Sequence, residues 1–352
     1  MEKRNTRVYD LSEPSEYKAG LKDAAAAICG GGLVVFPTET VYGLGANALD
    51  PAAVAGIFHA KGRPMDNPLI VHVSSFEQIS EVAFFEREEA VAAAKAFLPG
   101  PLTLILPKKS SVPDEVCAGL PSVGVRMPSM DAARDFLAVC GVPVAAPSAN
   151  LSGKPSPTAP SHVLHDMLGR VDVILLCGNC EIGVESTVVD FTSDRPRILR
   201  PGGVSAEALS RVVELDEQSL PARAELDRPR SPGMKYRHYK PMGRVIALEG
   251  NDESCLCWLK ARLEKEEDKA AVLAFEPVLV GLKNDSLIKL SLGRREHPEE
   301  AARVLFAHFR TCDEAGAKVI YTMCTSRESL GDAYLNRLYK AADEVIRCEV
   351  EE

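Results

Sequence analysis

The first two hundred residues alternate between stretches whose apolar residues recur at helical spacing and short runs that are apolar throughout. KAGLKDAAAAICGGG has the composition and spacing of a helix closed by glycines, and LVVFP directly after it reads as a short buried strand. Further strands are predicted at 69–73, 102–106, 123–126, 142–145, 171–176, 187–191 and 197–199, with helices between several of them. Several neighbouring strands are joined by connections too short for a crossover helix, which excludes a purely parallel barrel. The expected fold is an α/β open twisted mixed sheet.

From about residue 214 the apolar rhythm stops. ELDEQSLPARAELDRPRSPGMKYRHYKP is rich in Pro, Arg, Lys and Tyr and exceeds the ~12–15 residues beyond which structureless connections are usually functional. A second α/β series follows: GRVIALE, a helical ESCLCWLKARLEKEE, AAVLAFE, a charged helix around 298–315, KVIYTM and a last helix from Gly331. The predicted domains are therefore 15–213, a linker or lid at 214–242, and a smaller Rossmann-like α/β domain at 243–349.

Composition narrows the function. The 352 residues exceed what one hydrophobic core usually holds, and no apolar run reaches the ~20 residues of a membrane span. The polar start carries no secretory signal, so a cytoplasmic location is expected. Ten cysteines lack framework spacing; Cys177 and Cys180 form one C-x-x-C, without the second ligand pair a structural zinc needs, and read as two thiols beside a turn. A net charge of −9 argues against stable nucleic-acid binding, and aromatic residues, at 6%, form no stacking array. A local pocket for a small anion remains open.

Candidate chemistry gathers at strand ends. FPTETVYGLGANALD contains Gly43-x-Gly45, but the polar PTETVY stretch separates these glycines from the strand, so they make a poor dinucleotide loop; a P-loop is absent too. In HAKGRPMDNPLIVHV, Lys61 and Arg63 leave a helix end for a loop stiffened by Pro64 and Pro68, and suit phosphate oxygens; the ordinary alternative is a pair of exposed charges at a helix C-terminus. Alternation places Leu69, Val71 and Val73 on one strand face with Ile70 and His72 on the other, and sets Gly124 and Arg126 opposite Val123 and Val125. A buried Arg126 needs an anionic partner, either a ligand or an internal carboxylate. VPVAAPSANLSGKPSPT then runs from a strand into a loop suited to nucleotide contacts.

FPTETVYGLG, KGRPMDNPLIVHV, PGPLT, SVGVRMP, APSAN, ESTVVD, ILRPGG and SPGMKYRHYKP, in that order, resemble the threonylcarbamoyl-AMP synthase family in its two-domain form, with a YrdC-like first domain. The resemblance covers roughly 19–241; the carboxy-terminal part matches in size, position and α/β pattern. It implies an enzyme, a nucleotidyltransferase, that joins L-threonine, bicarbonate and ATP into threonylcarbamoyl-AMP and pyrophosphate for the threonylcarbamoyladenosine modification of tRNA. It places L-threonine near Thr40, His72, Arg126, Ala146 and Ser186. ATP is expected near Lys61, Arg63, Asn67, Ser122, Ser148, Asn150, Ser156, Arg200 and the linker residue Tyr236, with Lys61 and Arg63 stabilising charge in the reaction. Mg²⁺ would arrive with ATP rather than on protein side chains, and the implied partner is a downstream tRNA threonylcarbamoyl transferase. Two rivals are a carbamoyl transferase working through carbamoyl-adenylate, whose acylphosphatase-like and zinc-finger segments do not occur in this sequence, and an RNA-binding module, which the acidic balance disfavours.

Overall fold

The computed structural model describes residues 4–62, 64–216, 239–284 and 286–349, and these fall into two compact units. The first holds 4–152 and 156–216, the second 153–155 and 239–349. Most of the predicted linker, with its basic residues from Arg223 to Arg237, lies outside the described residues.

Ten strands build the first unit: β1 (Arg7–Asp10), β2 (Val34–Phe36), β3 (Gly43–Asn47), β4 (Ile70–His72), β5 (Leu102–Pro107), β6 (Ser122–Arg126), β7 (Val144–Ala146), β8 (Val173–Leu176), β9 (Thr187–Asp190) and β10 (Arg197–Arg200). They form one sheet in the order β1-β8-β2-β3-β7-β4-β6-β5-β9-β10, with parallel pairs such as β4/β6 and β5/β9 and antiparallel pairs such as β4/β7 and β5/β6. The mixed sheet is open, its edges being β1 and β10. Every strand predicted from its apolar run is present. β1 was not expected, because RVYD is short, half exposed and polar at both ends.

A second correction concerns Gly43 and Gly45, which belong to a strand rather than to a loop. β3 pairs antiparallel with β2, so that Phe36 lies opposite Gly43. A Cβ on Gly43 would stand 3.0 Å from the Phe36 ring, and one on Gly45 would stand 2.7 Å from Val144 Cγ1. The glycines are there to let a large ring and a neighbouring strand close onto the backbone.

The sheet buries its two faces differently. Leu33, Val35, Leu44, Ala46, Val71, Leu104 and Val125 point to one side and pack on the helices Pro51–Lys61, Phe76–Val82 and Glu88–Phe97 as the main core. Helix Pro51–Lys61 is delimited by its own sequence: Asp50 accepts from the amides of Ala52 (2.9 Å) and Ala53 (3.2 Å), proline occupies the first turn, and Gly62 closes the helix with φ 62°. On the other side, Val34, Phe36, Val144 and Ala146 meet the helices Pro14–Cys29 and Asp131–Cys140 in a smaller core. Further along that second face, on β4, β6, β5, β9 and β10, buried polar residues stand beside a small apolar cluster of Ile105, Val188 and Leu199.

The second unit has five parallel strands, β11 (Arg244–Glu249), β12 (Ala270–Ala274), β13 (Ile288–Ser291), β14 (Val319–Met323) and β15 (Glu344–Arg347), in the order β13-β12-β14-β11-β15. β13 and β15 are partly exposed strands whose mixed composition gave no apolar run. Lys240 and Arg244, two of the cations near the linker, pair with Asp343 and Glu344 here. Among the described residues no helix is long and apolar enough to cross a membrane.

Candidate active site

The polar part of the second face is a single row across the sheet. His72 on β4 pairs with Arg126 on β6 and with Val144 on β7. Arg126 lies across from Thr103, the neighbour of Leu104, whose partner is Val125. Thr103 pairs with Val188 on β9, and Val188 with Arg200 on β10. Paired residues on adjacent strands point to the same face, so strand register brings His72, Arg126 and Thr103 together; Arg200 follows a register shift in β10 and joins them through Ser186. Their separations in sequence run to more than a hundred residues, yet all four are buried.

Hydrogen bonds complete the row. Arg126 Nη1 donates to Thr40 Oγ1 (2.8 Å) and Nε to the Gly100 carbonyl (3.3 Å). Thr103 Oγ1 and Ser186 Oγ are 2.7 Å apart. Arg200 donates to the Ser186 carbonyl through Nε (3.2 Å) and Nη2 (2.9 Å), and Nη2 also lies 3.2 Å from Ser186 Oγ. Ser186 is held in turn by the backbone behind it: a Cβ at Gly202 would lie 2.3 Å from the Ser186 carbonyl carbon, an approach only glycine permits.

Thr40 sits on the loop that joins β2 to β3, and that loop is tied at several points. Thr38 Oγ1 donates to the Val41 carbonyl (2.6 Å) and accepts from the amides of Thr40 (3.2 Å) and Val41 (3.3 Å), a side-chain turn that fixes the direction of the chain. Tyr42 donates to the Gly178 carbonyl (2.6 Å) and accepts from the Cys177 amide (3.0 Å); burial pushes its phenol pKa up. Glu39, on the same loop, places Oε1 2.7 Å from Arg126 Nη2 in an ion pair that is almost wholly buried. Arg126 thus has the internal carboxylate that one reading of the sequence allowed.

His72 Nδ1 lies 3.2 Å from the Ile70 carbonyl and its ring meets Phe36 edge-on at 5.6 Å. Burial, and secondarily the nearby Arg126 charge, hold its pKa down at about 3, so the imidazole is neutral at physiological pH.

Lys61 departs most from its ordinary reading. It is 3% exposed rather than a solvated helix-end charge. Its ammonium donates to the Ser148 carbonyl, to the Asn150 carbonyl (2.6 Å) and to Asn150 Oδ1 (3.3 Å), while the Lys61 carbonyl accepts from the Ser152 amide (3.0 Å). Ser148 Oγ donates to Asn150 Oδ1 (2.5 Å), and Ser148 bridges to Gly43. The Lys61 cluster therefore forms beyond the end of β7, on the side of the sheet where β4 and β6 begin; buried Asn67 precedes β4 and Ser122 is the first residue of β6. Arg126 is four residues further along β6, about 13 Å at ~3.3 Å per residue.

The predicted residues accordingly form two groups. Thr40, His72, Arg126 and Ser186 share the row, and Ala146, paired with Ile70, lies on the same face. Lys61, Ser148 and Asn150 cluster at the strand ends. Arg200, expected with the nucleotide, is bonded to Ser186, and Ser156 donates to Glu185 (2.7 Å) beside it, so both adjoin the first group. Arg63 and Tyr236 lie outside the described residues. Sequence reading missed Thr103 and Glu39. Thr103 could have been found by alternation, since it faces away from Leu102 and Leu104 in an apolar strand; nothing local marked Glu39 as buried.

Two family models match the chain: one described as telomere recombination over residues 26–202, and one described as the threonylcarbamoyl-AMP synthase C-terminal domain over residues 204–343. The threonylcarbamoyl-AMP synthase of Pyrococcus abyssi is 44% identical over 92% of this chain and 94% of its own length. The chain belongs to the threonylcarbamoyl-AMP synthase family. A Bacillus subtilis threonylcarbamoyl-AMP synthase is 41% identical over 92% of each chain. Among solved structures, that of P. abyssi Sua5 complexed with L-threonine superposes with a TM-score of 0.89 at 41% identity, covering 98% of this chain and 100% of the other. As a threonylcarbamoyl-AMP synthase family member the chain is an enzyme of tRNA modification.

Proposed function

We propose that this enzyme is a nucleotidyltransferase that converts L-threonine, bicarbonate and ATP into threonylcarbamoyl-AMP and pyrophosphate. The carrying observation is the row itself: two buried guanidinium groups, Arg126 and Arg200, with the hydroxyls of Thr40, Thr103 and Ser186 between them, and a third buried cation, Lys61, at the near ends of the same strands. An amino acid carboxylate suits Arg126, whose fork is aimed by Thr40 and the Gly100 carbonyl. Neutral His72 and Ser186 supply uncharged contacts for the remainder of the amino acid, beside Ala146. The triphosphate suits Lys61, with Ser148 and Asn150 bonded to it and Asn67 and Ser122 as further candidates on the same side of the sheet; Arg200 and Ser156 bridge toward the amino acid.

In the reaction, the free amine of threonine forms a C–N bond to bicarbonate carbon as a C–O bond breaks and water leaves, and an oxygen of the resulting carbamate attacks the α-phosphorus of ATP and expels pyrophosphate. Charge accumulates on both partners, so fixed cations aimed into a water-poor site are the chief aid the protein can offer. A Mg²⁺ entering with the nucleotide would be held by its phosphate oxygens and would neutralise part of their charge. Carbamates decompose in water, and buried cations gain strength from the same exclusion of solvent. The activated product would pass to a tRNA threonylcarbamoyl transferase.

Purified protein given ATP, Mg²⁺, bicarbonate and L-threonine is expected to release pyrophosphate, and replacing threonine by serine or omitting bicarbonate should remove most of the signal. Release that ignores bicarbonate would overturn the assignment.

A further inference from the structure

The Glu39–Arg126 pair is close without being satisfied. Glu39 Oε1 stands 2.7 Å from Arg126 Nη2, and the two side chains are 3% and 5% exposed. Nevertheless, among the described residues Oε1 and Oε2 of Glu39 and Nη2 of Arg126 have no partner with hydrogen-bond geometry, so the contact between them is one of charge alone. The other guanidinium nitrogens are engaged, Nη1 with Thr40 and Nε with Gly100. Buried groups of this kind are nearly always paired, and a cluster of exceptions at one point calls for an explanation. Here the exceptions are complementary: two acceptors and one donor, side by side, on opposite charges.

An α-amino acid carries the matching set on adjacent atoms, an ammonium that donates and a carboxylate that accepts. We propose that Glu39 receives the α-ammonium of the amino acid substrate while Arg126 receives its carboxylate, so that the pair recognises the zwitterion. This rests on the reading of the row as the threonine site. The backbone of Glu39 suits a fixed recognition role, since its carbonyl accepts from the Ile182 amide at 2.9 Å and Thr38 braces the same loop. The arrangement also separates substrate from product: once the nitrogen is acylated it bears no charge, and the attraction to Glu39 disappears.

The test compares three ligands by calorimetry on the full chain: L-threonine, 3-hydroxybutyrate, which lacks the amine, and threoninol, which lacks the carboxylate. Glu39→Gln should weaken L-threonine about tenfold or more, as expected for loss of a charge-assisted hydrogen bond, and leave 3-hydroxybutyrate within about twofold on the same scale. Arg126→Gln should weaken L-threonine and 3-hydroxybutyrate together and spare threoninol. In the unaltered protein, L-threonine should bind more weakly as pH rises and its amine deprotonates, with no matching change for 3-hydroxybutyrate, so the proposal can be decided even if the Glu39 variant does not fold. Equal losses of L-threonine and 3-hydroxybutyrate in Glu39→Gln would reduce Glu39 to a prop for Arg126 and overturn the inference, as would pH-insensitive threonine binding. Failure of the unaltered protein to bind L-threonine at all would instead sink the threonine-site reading on which it rests.

Discussion

Arg126 donates from Nη1 to Thr40 Oγ1 at 2.8 Å, tying a strand of the sheet to the loop that precedes β3. The hydroxyl fixes where the guanidinium points, so its loss should misdirect the proposed carboxylate contact. Thr40→Val leaves a buried charged donor without its acceptor, a cost of about 1–3 kcal/mol in stability. Threonine affinity should fall about tenfold from the same loss, ATP affinity should hold, and Thr40→Ser should restore most of the threonine affinity. Denaturant titration together with ligand calorimetry checks both effects; a variant as weak for ATP as for threonine would contradict the placement.

His72 makes a prediction about acid. The unfolded chain binds a proton at this histidine near pH 6.5, the folded chain only near 3. The neutral ring's contribution is therefore complete above pH 6.5 and is lost as pH falls from there toward 3. Over that window the protein should lose stability at up to about 1.4 kcal/mol per pH unit on account of this residue. His72→Gln should show a correspondingly flatter curve in denaturant titrations between pH 6.5 and 4. Parallel curves would mean that the ring is protonated in the folded state.

Gly202 tests whether close backbone approach holds Ser186. An added Cβ would press on the backbone of Ser186, Thr187 and Glu185 at 2.3–2.4 Å, with no flexible side chain to give way. Gly202→Ala should cost on the order of 1–3 kcal/mol by overpacking and should weaken threonine by shifting Ser186. Gly56→Ala, inside helix Pro51–Lys61 and with its nearest neighbour at an ordinary 3.4 Å, should be neutral or slightly stabilising. Thermal melts of the two variants distinguish the cases; equal losses would remove the argument.

Several parts of this architecture were legible in the sequence for local reasons. The apolar runs became strands, and alternation correctly put His72 and Arg126 on the face opposite Val71 and Val125, because a strand's period is a property of its own backbone. What was missed depends on distant partners. Gly43 and Gly45 looked like loop glycines until Phe36 and Val144 were seen against them. Lys61 resembled an exposed helix-end charge because the loop that buries it lies almost ninety residues further on. The bonds that Arg200, expected with the nucleotide, makes to Ser186 become visible only once β9 and β10 are paired. The Arg63 and Tyr236 expectations, and that of a closing linker, fall outside the described residues.

The proposed division of labour assigns Arg126 to the amino acid and Lys61 to the triphosphate, in two adjoining groups of residues. The direct measurement is the dissociation constants of L-threonine and ATP for Arg126→Gln and Lys61→Ala. Loss of a buried charged hydrogen-bonding group should weaken the matching ligand roughly 10- to 100-fold: threonine in the first variant, ATP in the second, with the other ligand little changed. Equal losses of both ligands in both variants would contradict it.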